Sequence, residues 1–356
     1  MKQDAKAART RRQADRLRPV AGRYNQRLKE LRLAFRRAEL TSRGECAIEG
    51  VKLIEEALRS GQPLETVFFS DSARPLAEKL LTQINARTEA LVLPNALFNS
   101  IVPSDAPQGV AALLKLRTFS AAQLLDRSGD GPIVVAAGLQ NPGNLGTILR
   151  SAEAFGAAGI FLTEGTVSPY NAKVLRGSAG SVFRFPFVQI SSLELLPLLR
   201  VRGVRLLATS SHQGTPLPQI SWTLPLAIFI GNEGAGLSRE LTRQMDETLA
   251  IPQAAQVESL NAGVAASAEE GFARLKKAGV KILTTAAHGA KPADQIDLAG
   301  PLALLIGNEG NGVPEELARQ ADGAVTIPYP GPVESLNASV AASVLLYEAS
   351  KQRRGL

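Results

Sequence analysis

Residues 133 to 156 read IVVAAGLQNPGNLGTILRSAEAFG. The opening IVVAAG is a short apolar run rich in β-branched residues, the pattern of a buried strand, and Leu145 to Phe155 carries apolar residues at helical spacing. Asn144 and Gly146 then fall at the turn, and Arg150 about one turn inside the helix. The junction of a strand end with a helix start is where open α/β sheets place their ligands. The same residues also suit a plainer reading: an Asn cap, a turn glycine and a surface arginine.

Outward from this stretch the alternation continues. GIFLTE is a strand, SLELLPLLRVRG a helix and VRLLATS another strand, which argues for a mostly parallel sheet covered on both faces. Upstream, the turn-rich GDGPI (129–133) marks a boundary. Before it, GECAIEGVKLIEEALRSG (44–61) has helical periodicity ending at Gly61, and LETVFFS, ALVLP and GVAALLKL read as strands, together a small α/β domain.

Downstream the chain repeats itself. Gly203, His212, Gly231, Pro252 and Asn261 recur 76 residues later as Gly279, His288, Gly307, Pro328 and Asn337, and about half of the paired positions from Gly203 to Ser267 are identical. Two units are too few for a solenoid, which needs about three. Each unit supplies a strand (LAIFIG; LALLIG), a short helix, a second strand (TLAIP; AVTIP) and a helix beginning at SLNA. Boundaries are expected at 1–37 (a basic arm), 38–120 (a substrate-binding domain), 130–267 (the body with the first copy) and 268–356 (the second copy and a terminal helix).

The chain has 356 residues, room for two or three domains at about 100 to 200 each. Its single cysteine, Cys46, excludes an internal disulfide framework. No run of about 18 apolar residues occurs, and the N-terminus is charged from Lys2 onward, so a cytoplasmic protein without a membrane span is expected. Residues 1–37 hold thirteen Lys and Arg against three acids, net +10, on a chain whose total is +7. Such an arm suits a polyanion, above all nucleic acid, because its charges release counterions on meeting phosphates; a solvated, partly helical tail is the plainer alternative.

The hexapeptides GNEGAG (231–236) and GNEGNG (307–312) follow apolar strands, where glycine permits close backbone approach. They lack the GxGxxG spacing of a dinucleotide site and the lysine of a P-loop. Glu233 and Glu309 are placed to bind a hydroxyl, neutralise an arginine or cap the next helix. The segments IPQAAQVESLNA (251–262) and IPYPGPVESLNA (327–338) each lead into a helix, with Ser259 or Ser335 placed either to cap it or to form part of a ligand loop. His212 and His288 have no Cys or carboxylate partners at ligand spacing, so no metal site is expected.

In this order, NPGNLGTILR, IFIGNEGAGL and IPQAAQVESLNAGVAA resemble the three signature motifs of the SpoU (TrmH) family of RNA ribose 2′-O-methyltransferases, in the SPOUT superfamily. The resemblance covers about residues 130–350, and RGECAIEGVKLIEEALRSG onward resembles the family's ribosomal-protein-like substrate-binding domain. It implies an α/β parallel sheet threaded into a deep trefoil knot, preceded by the small α/β domain and here extended by a duplicated unit. It also implies S-adenosylmethionine as cofactor, RNA as substrate with ribosomal RNA favoured over transfer RNA, a homodimer, and no metal. Arg150 matches the catalytic arginine and Asn144 the motif-one asparagine. Glu233 or Glu309 matches the motif-two glutamate, and Ser259 with Asn261, or Ser335 with Asn337, match motif three. Cofactor contacts would fall at Gly231, Ile251 and Leu260 in the first copy, or Gly307, Ile327 and Leu336 in the second.

Motif one occurs once, motifs two and three twice, so the sequence leaves open which copy works. ASVAASVLLYEASKQRR after the second SLN is an apolar-faced terminal helix and favours the second copy; the unbroken path from motif one favours the first, and a hybrid stays open. A catalytically inactive RNA-binding or assembly protein on the same scaffold is the alternative to an enzyme.

Overall fold

The computed structural model describes residues 16–20, 22, 24–210, 214–216, 219–232, 234–250, 275–307, 312–333 and 335–354. Among them, three sheets carry the fold.

The first sheet contains β1 (Leu17–Pro19), β2 (Cys46–Glu49), β3 (Leu64–Ser70), β4 (Glu89–Leu93) and β5 (Val110–Leu114), in the order β1-β4-β3-β5-β2. Strand β5 runs antiparallel to both β2 and β3. Part of the stretch expected to be a free basic arm belongs to this domain. Gln26–Arg37 is a helix, α1, because Leu28, Leu31 and Ala34 recur every three residues and are buried. Asn25 starts it, its Oδ1 accepting from the N–H groups of Arg27 and Leu28 at 2.8 and 3.3 Å. The Arg27 guanidinium turns inward and donates to both oxygens of Glu45 at 2.8 and 2.9 Å, and to Thr66 Oγ1 at 2.8 Å. Burial pushes the Glu45 carboxyl up, but the bonds from Arg27 outweigh it and hold the group below its ordinary range.

The second sheet contains β6 (Ile133–Ala136), β7 (Gly159–Leu162), β8 (Phe187–Gln189), β9 (Arg205–Ser210), β10 (Thr215–Pro216), β11 (Leu226–Ile230) and β12 (Glu247–Ala250). All neighbouring pairs are parallel, in the order β10-β12-β9-β11-β6-β7-β8. Side chains alternate across it. Val134, Ala136, Ile160 and Leu162 pack with Leu145 and Leu149 and are continuous with the first domain's core. Ile133, Val135, Phe161 and Phe229 face Leu195, Leu196 and Leu199 on the other side. The covered parallel sheet expected from the strand and helix alternation is therefore present.

The third sheet contains β13 (Lys281–Thr285), β14 (Lys291–Pro292), β15 (Leu302–Leu305) and β16 (Gly323–Thr326), in the order β14-β16-β13-β15. It reproduces the first copy pair for pair. Arg205↔Leu226 becomes Lys281↔Leu302, Leu207↔Glu247 becomes Leu283↔Gly323, and Thr215↔Leu249 becomes Lys291↔Val325. The terminal helix Ala338–Arg353 buries Leu345 and Ala349 against this sheet. No helix among the described residues is long and apolar enough to cross a membrane.

Candidate active site

Arg150 lies on Pro142–Ala154, here α2, which opens directly after β6. The cap is Asn141, whose Oδ1 accepts from the N–H groups of Gly143 and Asn144 at 2.8 and 3.4 Å, and Pro142 opens the helix. Asn144 and Gly146 are therefore inside the helix rather than at its turn. Arg150 sits about two turns in, some 9 Å along the axis from Asn144 at about 1.5 Å per residue. Asn144 is exposed and Arg150 is buried. Gly146 has a packing role: a Cβ there would stand 2.8 Å from the Val174 carbonyl oxygen and 2.9 Å from Gly177, both in the neighbouring helix Ala172–Gly177.

Among the described residues, the second copy supplies a partner for Arg150. Arg150 Nε donates to the Ser335 carbonyl at 2.6 Å, and Nη2 donates to Ser335 Oγ at 2.7 Å, across 185 residues of sequence. Asn337, two residues on, does the capping instead, its Oδ1 accepting from the N–H groups of Ser339 and Val340 at 3.0 and 3.4 Å. The cap expected of Ser335 is thus provided by Asn337, and the Ser335 hydroxyl is turned to Arg150 instead.

Ser335 borders two cavities. The first, about 210 Å³, is walled by the ends of β13, β15 and β16 and by the start of the terminal helix, with Thr285, Ala286, Gly307, Gly312, Ile327, Tyr329 and Leu336 in its lining. Its described lining carries no charged side chain. Gly307 fits there only as glycine, since a Cβ would stand 2.2 Å from the Gly312 backbone. In the first copy, Gly231 meets Gly236 in the same way at 2.3 Å. There Asn232 fastens the turn, donating from Nδ2 to the Gly138 carbonyl at 3.1 Å and accepting at Oδ1 from the N–H groups of Gly234 and Ala235. In each copy the first and sixth residues of the hexapeptide touch. Burial pushes the Tyr329 hydroxyl's pKa up, with the nearby Arg150 charge pulling the other way.

The second cavity, about 810 Å³, runs between the first domain and the body and has Arg150 and Ser335 in its wall. Lys52, Arg59 and Arg176 line it with Glu49 and Glu55. Arg176 reaches over to the first domain, donating to Ser104 Oγ at 3.0 Å and standing 3.5 Å from Glu49. Burial raises the pKa of Glu49. The cleft is held in shape by Arg184, which grips Glu153 of α2 at 2.9 and 3.0 Å, pairs with Glu56 and donates to Ser60 Oγ at 2.9 Å.

The structure thus joins Arg150 and Ser335, with Gly307, Ile327 and Leu336 in one pocket beside them. Glu233, Glu309, Ile251, Ser259, Leu260 and Asn261 lie outside the described residues, as does His212. His288 is exposed, its ring 6.2 Å from that of Tyr329. No cluster of potential metal ligands occurs among the described residues. Sequence reasoning missed Tyr329, Arg176 and the interdomain cleft. Only the YPGP against QAAQ contrast between the copies could have singled out Tyr329.

The fold and site define an α/β protein of the SpoU methyltransferase class. The chain matches the SpoU rRNA Methylase family over residues 131–268 and again over 266–347, and the MRM3-like substrate binding domain over 25–112. It is 31% identical over 248 residues to a 23S rRNA (guanosine(2553)-2′-O)-methyltransferase of Bacillus subtilis, spanning 68% of this chain and 94% of that one. A 23S rRNA (uridine(2479)-2′-O)-methyltransferase of Streptomyces viridochromogenes is 32% identical over 242 residues, 65% of this chain and 83% of that one. In structure it is similar to an AdoMet-bound rRNA methyltransferase of Sinorhizobium meliloti, with TM-score 0.57 and 28% identity over 69% of this chain and 93% of that one. The chain belongs to the SpoU rRNA methylase family.

Proposed function

We propose that the chain transfers the methyl group of S-adenosylmethionine to a ribose 2′-hydroxyl of ribosomal RNA, with the second copy completing the site. The observation that carries this is Ser335, bonded to Arg150 and bordering both the small uncharged pocket and the large cleft. A donor in the first cavity and an acceptor in the second meet at that wall. The pocket suits an adenosine moiety: it offers strand ends, small residues and apolar side chains, with Gly307 and Gly312 in close contact. Gly307, Ile327 and Leu336 are the proposed cofactor contacts.

When bound, S-adenosylmethionine supplies an electrophilic methyl group. Arg150 does not serve as a base, because a guanidinium with pKa above about 12 stays charged at neutral pH. Its fixed charge stabilises negative charge developing on the 2′-oxygen while the hydroxyl proton passes to an adjacent phosphate of the RNA. Ser335 Oγ accepts from Arg150 and keeps its own proton to donate, so it is placed to orient the ribose or a neighbouring phosphate. Asn337 holds the helix start that fixes Ser335. Asn144 and Glu309 complete the proposed set, and the first-copy matches Glu233, Ser259 and Asn261 stand outside it.

Ribosomal rather than transfer RNA is favoured by the names of the two relatives and by the accessory domain. A cytoplasmic homodimer completes the proposal. Leu193 and Val201, 84% and 85% exposed on one helix, give it an apolar surface to use, and light scattering tests it. An inactive assembly factor is disfavoured by the intact Arg150–Ser335 pair.

The test is tritiated methyl transfer to ribosomal RNA lacking the modification, followed by mapping of ribose methylation. Arg150→Lys keeps the charge but loses the two-pronged grip on Ser335, and turnover should fall by about 100-fold or more with cofactor affinity retained. No incorporation by the unaltered protein into any RNA overturns the reading.

A further inference from the structure

Between the two copies, IP and VESLNA are shared, and only four residues separate them: Gln253, Ala254, Ala255 and Gln256 in the first, Tyr329, Pro330, Gly331 and Pro332 in the second. The second set sits on the end of α2. The Gly331 N–H donates to the Ala154 carbonyl at 2.9 Å, and Gly156 faces the Pro330 ring. A Cβ on Gly331 would stand 2.2 Å from the Glu153 carbonyl oxygen and 2.6 Å from Ala154 Cα. Those are backbone atoms of a helix, and Glu153 is itself clamped by Arg184, so they have no easy way to yield. The first copy carries a methyl group at the matching position, Ala255.

We infer that Gly331 is the specificity-determining residue that decides which copy completes the Arg150 site: it admits the second loop to the seat on α2, and Ala255 bars the first. The inference rests on the methyltransferase reading and refines it. Flanking prolines add to the effect, since fixed φ angles at Pro330 and Pro332 lessen the order lost on docking. Four residues ahead of Ser335, Gly331 sets the approach of Ser335 without touching the reacting atoms. It is a positioning residue.

The experiment compares Gly331→Ala, Ala255→Gly, Ser335→Ala and Ser259→Ala in the full-length protein. Readouts are methyl-transfer kcat and KM for RNA, thermal unfolding, and hydrogen exchange of the Gly331 segment. Gly331→Ala should lower kcat by about 100-fold, the scale of a misplacement of roughly 1 Å, with KM for RNA and the unfolding temperature little changed. Ser335→Ala should lower kcat too, whereas Ala255→Gly and Ser259→Ala should leave it as it was. Wild-type turnover in Gly331→Ala, or loss in Ser259→Ala with Ser335→Ala unaffected, overturns the inference. Should the unaltered protein transfer no methyl group at all, the enzymatic reading fails, and exchange decides the seating alone. A residue-331 amide protected in the parent and released in Gly331→Ala supports it; one exchanging at the rate of an open chain in the parent overturns it.

Discussion

The two copies share the strand pairings inside the repeated unit, yet they live in different surroundings. In the first, β11 lies between β9 and β6, and Leu226, Ala227 and Phe229 are 1%, 0% and 0% exposed. In the second, β15 is the edge of its sheet, and all four of its residues are only half-buried. Motif one exists once, so only one copy can have β6 as a neighbour. Conserved internal bonds show how local this unit is: Thr209 and Thr285 each donate from Oγ1 to the matching carbonyl, Phe229 and Leu305, at 2.9 and 3.1 Å. The unit's own geometry follows from its sequence, whereas burial and access to Arg150 follow from where it is docked. Among the described residues, the first copy completes the main sheet and the second supplies Ser335 to the arginine.

The sharpest way to break this division is at the pocket. Leu336 lines it, and Leu260 is its counterpart 76 residues earlier. Leu336→Arg places a charge in an uncharged lining and should raise the dissociation constant for S-adenosylmethionine by about 100-fold or more, since an unpaired buried charge costs several kcal/mol. Leu260→Arg should leave calorimetric binding as it is. Equal losses from both would mean that the copies act together, and a loss from Leu260→Arg alone would reverse their roles.

A smaller difference is expected in stability. Phe229→Ala should cost about 3 to 5 kcal/mol, the usual loss for a fully buried phenylalanine. Leu305→Ala, at the matching position on the open edge, should cost about 1 kcal/mol, because a half-buried side chain gives up less apolar area. Urea unfolding of the two variants measures both. Similar costs would show that β15 is covered in solution.

Much of this was legible in the sequence. IVVAAG announced β6, the spacing of 76 fixed the repeat, and the order of the motifs pointed to Arg150. Less legible were features that depend on contacts distant in the chain. Composition painted residues 1–37 as an arm, because thirteen cations outweigh the three-residue spacing of Leu28, Leu31 and Ala34 that buries α1. Asn144 looked like the helix cap because it precedes the first apolar residue, but Asn141 followed by Pro142 starts the helix earlier. The choice of copy could not be read at all from the shared SLN segments. The difference that bears on it, Gly331 against Ala255, gains meaning only when the Glu153 carbonyl is seen to fill the space a side chain at 331 would need.

The finest test concerns two aspartates that do the same job. Asp246 Oδ2 accepts from the Leu206 N–H at 2.7 Å, and Asp322 Oδ2 accepts from the Ile282 N–H at 2.8 Å. Replacing either with alanine should cost about 1 kcal/mol, a typical net hydrogen bond. Their charge partners differ. Asp246 stands 2.6 Å from Arg200, whereas Asp322 has Lys276 at 3.9 Å on the surface, a contact worth little. Burial pushes the Asp246 carboxyl up, but the Leu206 N–H and Arg200 outweigh it and hold its pKa below the ordinary aspartate value. Its stabilising effect is therefore complete above that ordinary value and is lost as pH falls through the lower folded one. Unfolding temperatures taken from pH 7 down to pH 3 should show the parent losing part of its advantage over Asp246→Ala at the acid end. A constant gap between the two across that range would remove the charge from the account and leave the bare hydrogen bond, the same in both copies.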